Sequence, residues 1–353
     1  MTFSIPMRDL KPLTAGPSSP PPSRVSSFHH IRRHTDKGKG KAVARKLWAD
    51  GPWPLIETPS RTQPITHPAL HIANELSHTH NAMLRGLNAL YLQAPFVSLD
   101  ADVADFLFLI QIWSGWVLDH HSLKENAMMP GFEAALRLEP GSLGRALKGL
   151  VFGDERGRDR MEEEDGQEKR GTRDLSALLH SVHSYATETH PQPSTYSPSI
   201  LQPLLASLAS VLVPHLHAQI PLLMQIKDLC SPSPPPLPLP PPPPPPSSSS
   251  SSSTRSSTSS APRPSKASDR ATHLTQIFHG AESSFSAKTD RYTIAPMLIR
   301  LRDVAHDGSN SGLSVPAVHA IADRLSPRHA GAWRFLPCDV WGRRRELEFL
   351  GGE

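Results

Sequence analysis

Two cysteines in 353 residues, Cys230 and Cys338, cannot build a disulfide framework, so packing must hold the fold and a reducing compartment is expected. Charge of one sign is also scarce, since 37 Lys and Arg stand against 33 Asp and Glu. The basic excess gathers in the first 46 residues, at Arg32, Arg33, Lys37, Lys39, Lys41, Arg45 and Lys46. That segment has no apolar periodicity and no interleaved aromatics, which makes it a solvated tail and argues against a nucleic-acid partner. Long apolar runs are missing as well. The longest, Phe106 to Leu118, is bounded by Asp105 and Asp119, interrupted by Gln111, and shorter than the roughly 20 residues a bilayer needs. Residues 1–30 hold no apolar core of a secretory signal, so a cytoplasmic setting without a membrane partner is expected. The acid-poor, Ser- and Arg-containing start is a weaker match to a mitochondrial transit segment. Sustained period-two alternation is absent too, and with it the signal for a sheet.

Proline is abundant instead, at 38 residues. Tracts rich in Pro and Ser bury too little apolar surface to offset their ordering entropy. One packed core with low-complexity flanks is therefore expected. The organisation reads as a disordered basic tail over 1–46, a helical domain over 47–230, a Pro/Ser linker over 231–268, and a C-terminal helical segment and tail over 269–353 that dock on the domain. An almost wholly charged insertion occupies 153–174. The proline run within 231–268 forms a polyproline II spacer, and as a lesser reading binds a protein partner.

Within the domain the apolar spacing predicts four helices. The first covers 68–92, with Ala69, Ala73, Leu76, Met83, Leu87, Leu90 and Tyr91 inward. The second covers 100–129 and should stop at Pro130-Gly131. The third covers 173–188 and the fourth 198–229, while 132–152 is weaker helix or loop. Short amphipathic helices are expected within 269–305. An all-α, up-down four-helix bundle is the natural architecture.

The chemistry lies where polar residues interrupt the apolar stripes. His80 fills a missing beat on the first helix, His121 and Glu125 continue the stripe of the second, and His215 and Gln219 that of the fourth. Each should point inward. His121 and Glu125 lie one turn apart on one helical face, where a single metal ion can bridge them. Imidazole and carboxylate together suit iron, zinc or manganese. The plainer alternative is a set of hydrogen-bonded core histidines. Pro214 and Pro221 flank His215 and Gln219, and each removes a backbone hydrogen bond, so a local kink is expected.

Three stretches resemble fungal hemerythrin-like (HHE cation-binding) proteins. The run from His80-Asn81 through Arg85-Gly86-Leu87-Asn88-Ala89-Leu90-Tyr91-Leu92-Gln93-Ala94-Pro95 is similar to their first helix. His120-His121-Ser122-Leu123-Lys124-Glu125 resembles their second-helix His-His-x-x-x-Glu motif. His215-Leu216-His217-Ala218-Gln219-Ile220 resembles a His-Leu-x-x-Glu-Ile pattern of the fourth. The arm Trp48 to Pro59 and the tail His329 to Asp339 look like flanks of the same group. The resemblance implies a non-haem iron centre that binds dioxygen or takes part in iron and redox handling, with His80, His121, Glu125, His215 and Gln219 as ligands. Gln219 departs from the pattern, because it replaces a carboxylate. The third-helix histidine also fails to appear, since its place falls at Gly171-Thr172. His180 and His183 are lesser substitutes. The inventory suffices for one metal and is thin for two. Reversible binding or sensing is expected rather than turnover, and an iron-dependent oxidoreductase is a third reading. The competing class is a metal-free helical interaction module that keeps the bundle and has lost the site.

Overall fold

The computed structural model describes residues 47–152, 174–230, 266–308 and 313–350. The expectations for the basic tail, for the linker to residue 265, and for 153–173 with Thr172 lie outside these residues. Among the described residues the chain is all-α, with one isolated antiparallel bridge between Cys338 and Arg344.

Helix α1 spans Pro68–Gln93. Pro68 opens it at a position whose N–H would go unpaired in any case, and Nδ1 of His67 accepts from the N–H of Ala69 at 3.1 Å. The expected inward positions are buried except Tyr91, which is half-buried, yet burial extends around the whole helix from Leu76 to Leu90. A helix buried on every face is a central one. Its polar residues bind backbone of the surrounding segments. The Asn81 side chain donates to the carbonyl of Ile56 at 2.9 Å and accepts from its N–H at 2.7 Å. Asn88 holds the carbonyls of Ala49 and Trp53 and accepts from the N–H of Trp53. The arm before the helix is thereby fastened as extended chain. Gln93 donates to the carbonyl of Phe335 at 2.8 Å, and Arg85 to that of Leu301 at 3.0 Å, so the C-terminal segment docks on the same helix.

Helix α2 spans Asp100–Leu123, with Asp100 and Asp102 in the first turn, where they complement the helix dipole. Pro130-Gly131 does not stop it. A widened π-turn over Lys124–Met128 leads directly into α3, Met129–Leu136, and Pro130 sits in the first turn of that helix. The real stop is Arg137, in the left-handed conformation at φ 59°. The stretch expected as weak helix or loop contains α4, Ser142–Phe152. Its entry is fixed by the buried carboxylate of Glu133, which accepts from the N–H groups of Gly141 at 2.7 Å and Leu143 at 2.8 Å.

Helix α5 spans Leu175–Thr189, capped by Asp174, whose carboxylate accepts from the N–H of Ser176 at 3.0 Å. Helix α6, Pro198–Cys230, runs unbroken through Pro203, Pro214 and Pro221, so the expected kink does not interrupt it. Helices α7, Lys266–Lys288, and α8, Ile294–Arg300, follow, then a short α9, Val315–Ala320. In the packing α1 lies along α6, α2 along α5, and α5 against α6, while α4 leans on α6 and α7 covers α1 and α3. One apolar core joins them. At the crossing of α1 and α2 the indole of Trp113 lies on the backbone of Gly86.

The continuation past Pro130 changes one expectation. Asp100–Leu136 and Pro198–Cys230 are long and apolar enough to cross a membrane, which the short run Phe106 to Leu118 did not suggest. Their most apolar windows are 50% and 39% buried inside the protein.

Candidate functional site

The polar interruptions of three helices meet beside the π-turn. Donor atoms of His121 and Glu125 on α2 and its π-turn, and of His215 on α6, lie within 4.8 Å of one another. His80 of α1 is fully buried close by, with its Nδ1 3.1 Å from the Leu216 carbonyl of α6. A carbonyl can only accept, so Nδ1 carries the proton and the lone pair is on Nε2. That Nε2 has no partner in the chain. Gln219 is fully buried, its amide Nε2 lies 2.6 Å from Nε2 of His215, and its Oε1 has no partner.

The phase of α2 differs from the expected one. His121 is only half-buried and the Glu125 side chain is 39% exposed, so both stand at the rim of the cluster. The face that goes deepest runs Trp113, Trp116, Val117, His120 and Lys124, one residue earlier at its polar end. His120 is buried, with neither ring nitrogen partnered, and its ring meets that of His80 edge-on at 5.8 Å between centroids. Lys124 is buried as well. Its Nζ lies 2.7 Å from Nε2 of His215 and 3.7 Å from the carboxylate of Glu125. These two inward residues were not picked out from the sequence. The signal was there, because a stripe started at Trp113 and Trp116 reaches His120 and Lys124 at helical spacing.

Burial dominates the electrostatics. It holds the His80 imidazolium well below its usual range, helped by His120, Lys124 and His215 and opposed by the Leu216 carbonyl. Burial, with Lys124 beside it, pushes His120 down to about 3 and His215 down to about 2. His121 is lowered by burial and Lys124, against the pull of Glu125 and Asp174. Lys124 is pushed down to about 8 by burial, which Glu125 partly offsets. At neutral pH the cluster is therefore a set of uncharged imidazoles around one ammonium. Neutral imidazole is the form that binds a metal ion.

The lesser substitutes lie elsewhere. His183 shares a 3.0 Å hydrogen bond with Ser114, and His180 is exposed on α5. Cys230 and Cys338 are free and buried, and burial pushes the Cys338 thiol up to about 12, the opposite of what a reactive thiolate needs.

No family model matches the chain, and no solved structure matches it. The chain is similar to the dimeric xanthone biosynthesis cluster protein R11 of Cryptosporiopsis sp. (strain 8999), with 25% identity over 321 residues that cover 88% of this chain and 97% of that protein.

Proposed function

We propose that the chain is a hemerythrin-like protein, an up-down four-helix bundle formed by α1, α2, α5 and α6, which holds one non-haem iron ion at the rim of its histidine cluster. The observation that carries the reading is the convergence of His121, Glu125 and His215, two imidazoles and one carboxylate within 4.8 Å. Two nitrogens and one oxygen from two helices, α2 with its π-turn and α6, form a donor set for a borderline divalent ion, and helical bundles build their metal sites from facing helices. The unpartnered, buried Nδ1 of His121 also suits the reading, since a buried polar atom without a partner calls for one. Gln219 orients His215 and is not counted as a ligand. Bound iron would supply one-electron redox chemistry and an affinity for dioxygen. The chain's own residues hold the ion, keep the imidazoles neutral by burial, and exclude water along the apolar wall of α2. Held in this way, iron would serve reversible dioxygen binding or redox sensing. Its relative's name supports a place for this chain in xanthone biosynthesis.

A specific contact favours the second reading, a metal-free interaction module. A neutral imidazole has one lone pair, and the Lys124 ammonium stands 2.7 Å from Nε2 of His215 as a donor. Metal analysis of protein purified from iron-replete cells without chelator separates the two. One equivalent of iron, lost in His121→Ala and in Glu125→Ala, supports the metal centre. The same trace background in all three proteins supports the module.

A further inference from the structure

The rim reading leaves a buried amine unexplained. Lys124 keeps 2% of its side chain exposed, and its carboxylate partner Glu125 stands 3.7 Å away at the surface. Lysine is almost never fully buried without a close partner of opposite charge. Here the close contact is with a neutral ring, Nε2 of His215 at 2.7 Å. The rings of His80 and His120 are also near enough to interact electrostatically with the ammonium. In the same cluster lie buried atoms that hydrogen-bond to nothing in the chain, the Lys124 ammonium included: Nε2 of His80, both ring nitrogens of His120, and Oε1 of Gln219. Of the two His120 nitrogens, one offers a lone pair in either neutral tautomer. An apolar-walled interior lined by unpartnered imidazole nitrogens and an amide oxygen is the environment of a coordinated cation. The chain supplies a cation there from its own side chain.

We propose that Lys124 is a built-in substitute for a metal ion. Its ammonium fills the inner part of the histidine cluster, against His215 and near His80, His120 and Gln219, and confines any divalent ion to the rim; the inner donors are His80, His120 and Gln219, since His215 belongs to the rim. Two charges of like sign cannot share this water-poor interior, so the lysine sets the number of metals the protein holds. Taking away that one charge exposes an inner site for a borderline divalent ion such as Fe(II), Co(II) or Zn(II). The inference rests on the rim reading for the count in the wild-type protein only.

The test uses the full chain and Co(II) as probe, with metal-to-protein ratio after dialysis and the visible absorption of nitrogen-bound cobalt as readouts. Lys124→Met keeps the length and volume of the side chain without its charge, and Lys124→Gln is a second variant should the first fail to fold. Helical circular dichroism establishes folding. The expected result is one equivalent for the wild type and two for the lysine variant, with the gained equivalent lost again in Lys124→Met/His80→Ala. One equivalent in both the wild type and the variant overturns the inference and leaves the rim site standing. None in the wild type and one in the variant sustains the inference and overturns the rim site. None in either overturns both.

Discussion

Removing the charge of Asp307 should destabilise the protein more than any ordinary surface change. The Arg85 guanidinium of α1 is fully buried and grips the carboxylate with two bonds, 2.6 Å to Oδ2 and 2.8 Å to Oδ1. A third donation goes to the carbonyl of Leu301 at 3.0 Å. The Asp307 side chain is 1% exposed and also receives His306 at 3.1 Å and the N–H of Asp303 at 3.1 Å. Burial alone pushes this carboxyl up. Donation from His306, the nearby His78 ring 3.9 Å away, and the bonds and charge of Arg85 overcome it and hold the group well below the usual carboxylate range. Asp307→Asn preserves the shape and leaves the guanidinium without its carboxylate, with the charge of Arg302 nearby. Breaking a buried pair by removing one partner costs about 3–5 kcal/mol, a large share of a typical total of about 5–15 kcal/mol. In urea the midpoint should fall with the slope unchanged. The double variant Arg85→Met/Asp307→Leu should recover most of the loss, because apolar replacement of both partners is often neutral. A loss under about 1 kcal/mol for Asp307→Asn, against the expected range, would refute the claim that this pair clamps the C-terminal segment to α1.

Three further outcomes follow from the packing and the cluster. Gly86→Ala would place a Cβ 2.5 Å from Cδ1 of the buried Trp113. Overpacking of about 1–3 kcal/mol exceeds the helix-propensity gain of about 1 kcal/mol, so guanidinium unfolding should show net destabilisation; a stabilised variant contradicts the close crossing of α1 and α2. Asn88→Ala removes the bonds to Ala49 and Trp53, and hydrogen exchange should quicken over residues 49–53 while α5 stays protected. The metal-free protein should lose stability as pH falls below 6.5. There the unfolded histidines take up protons that folded His120, held to about 3, and His215, held to about 2, refuse. The slope is at most about 1.4 kcal/mol per pH unit for each histidine. His120→Leu should flatten the fall in thermal midpoint between pH 6.5 and 4.5, and an unchanged slope would count against its burial as a neutral ring. At the alkaline end the burial of Lys124, lowered to about 8, is relieved as pH rises towards 10.5.

Much of this architecture is legible in the sequence. The four long apolar periodicities become α1, α2, α5 and α6 within a few residues, because stripes of large aliphatic residues at helical spacing leave few other ways to bury themselves. What failed was phase. Helix α2 is apolar on almost every side, through Trp113, Trp116 and Val117, so its sequence does not say which side is innermost. The stripe drawn through His121 and Glu125 and the one drawn through His120 and Lys124 differ by one residue, and packing selects the second as the interior. Pro130 misled for a related reason. A proline following a turn widened by one residue sits where its missing N–H costs nothing, so it begins a helix rather than ending one. The burial of Asn81, Arg85 and Asn88 was hidden too, since it depends on partners in the arm and the C-terminal segment, backbone groups and, for Arg85, also the Asp307 carboxylate. His80 and Gln219 were placed inward by their stripes, and both are fully buried.

X-ray absorption at the iron edge of iron-loaded protein tests the central claim most directly. One rim-bound iron predicts imidazole multiple scattering from His121 and His215, lighter oxygen scattering from Glu125, and no iron–iron vector. Scattering from a second iron at about 3.5–4 Å, the spacing of paired-metal sites, would contradict the single site, and a spectrum without imidazole scattering would contradict the centre itself.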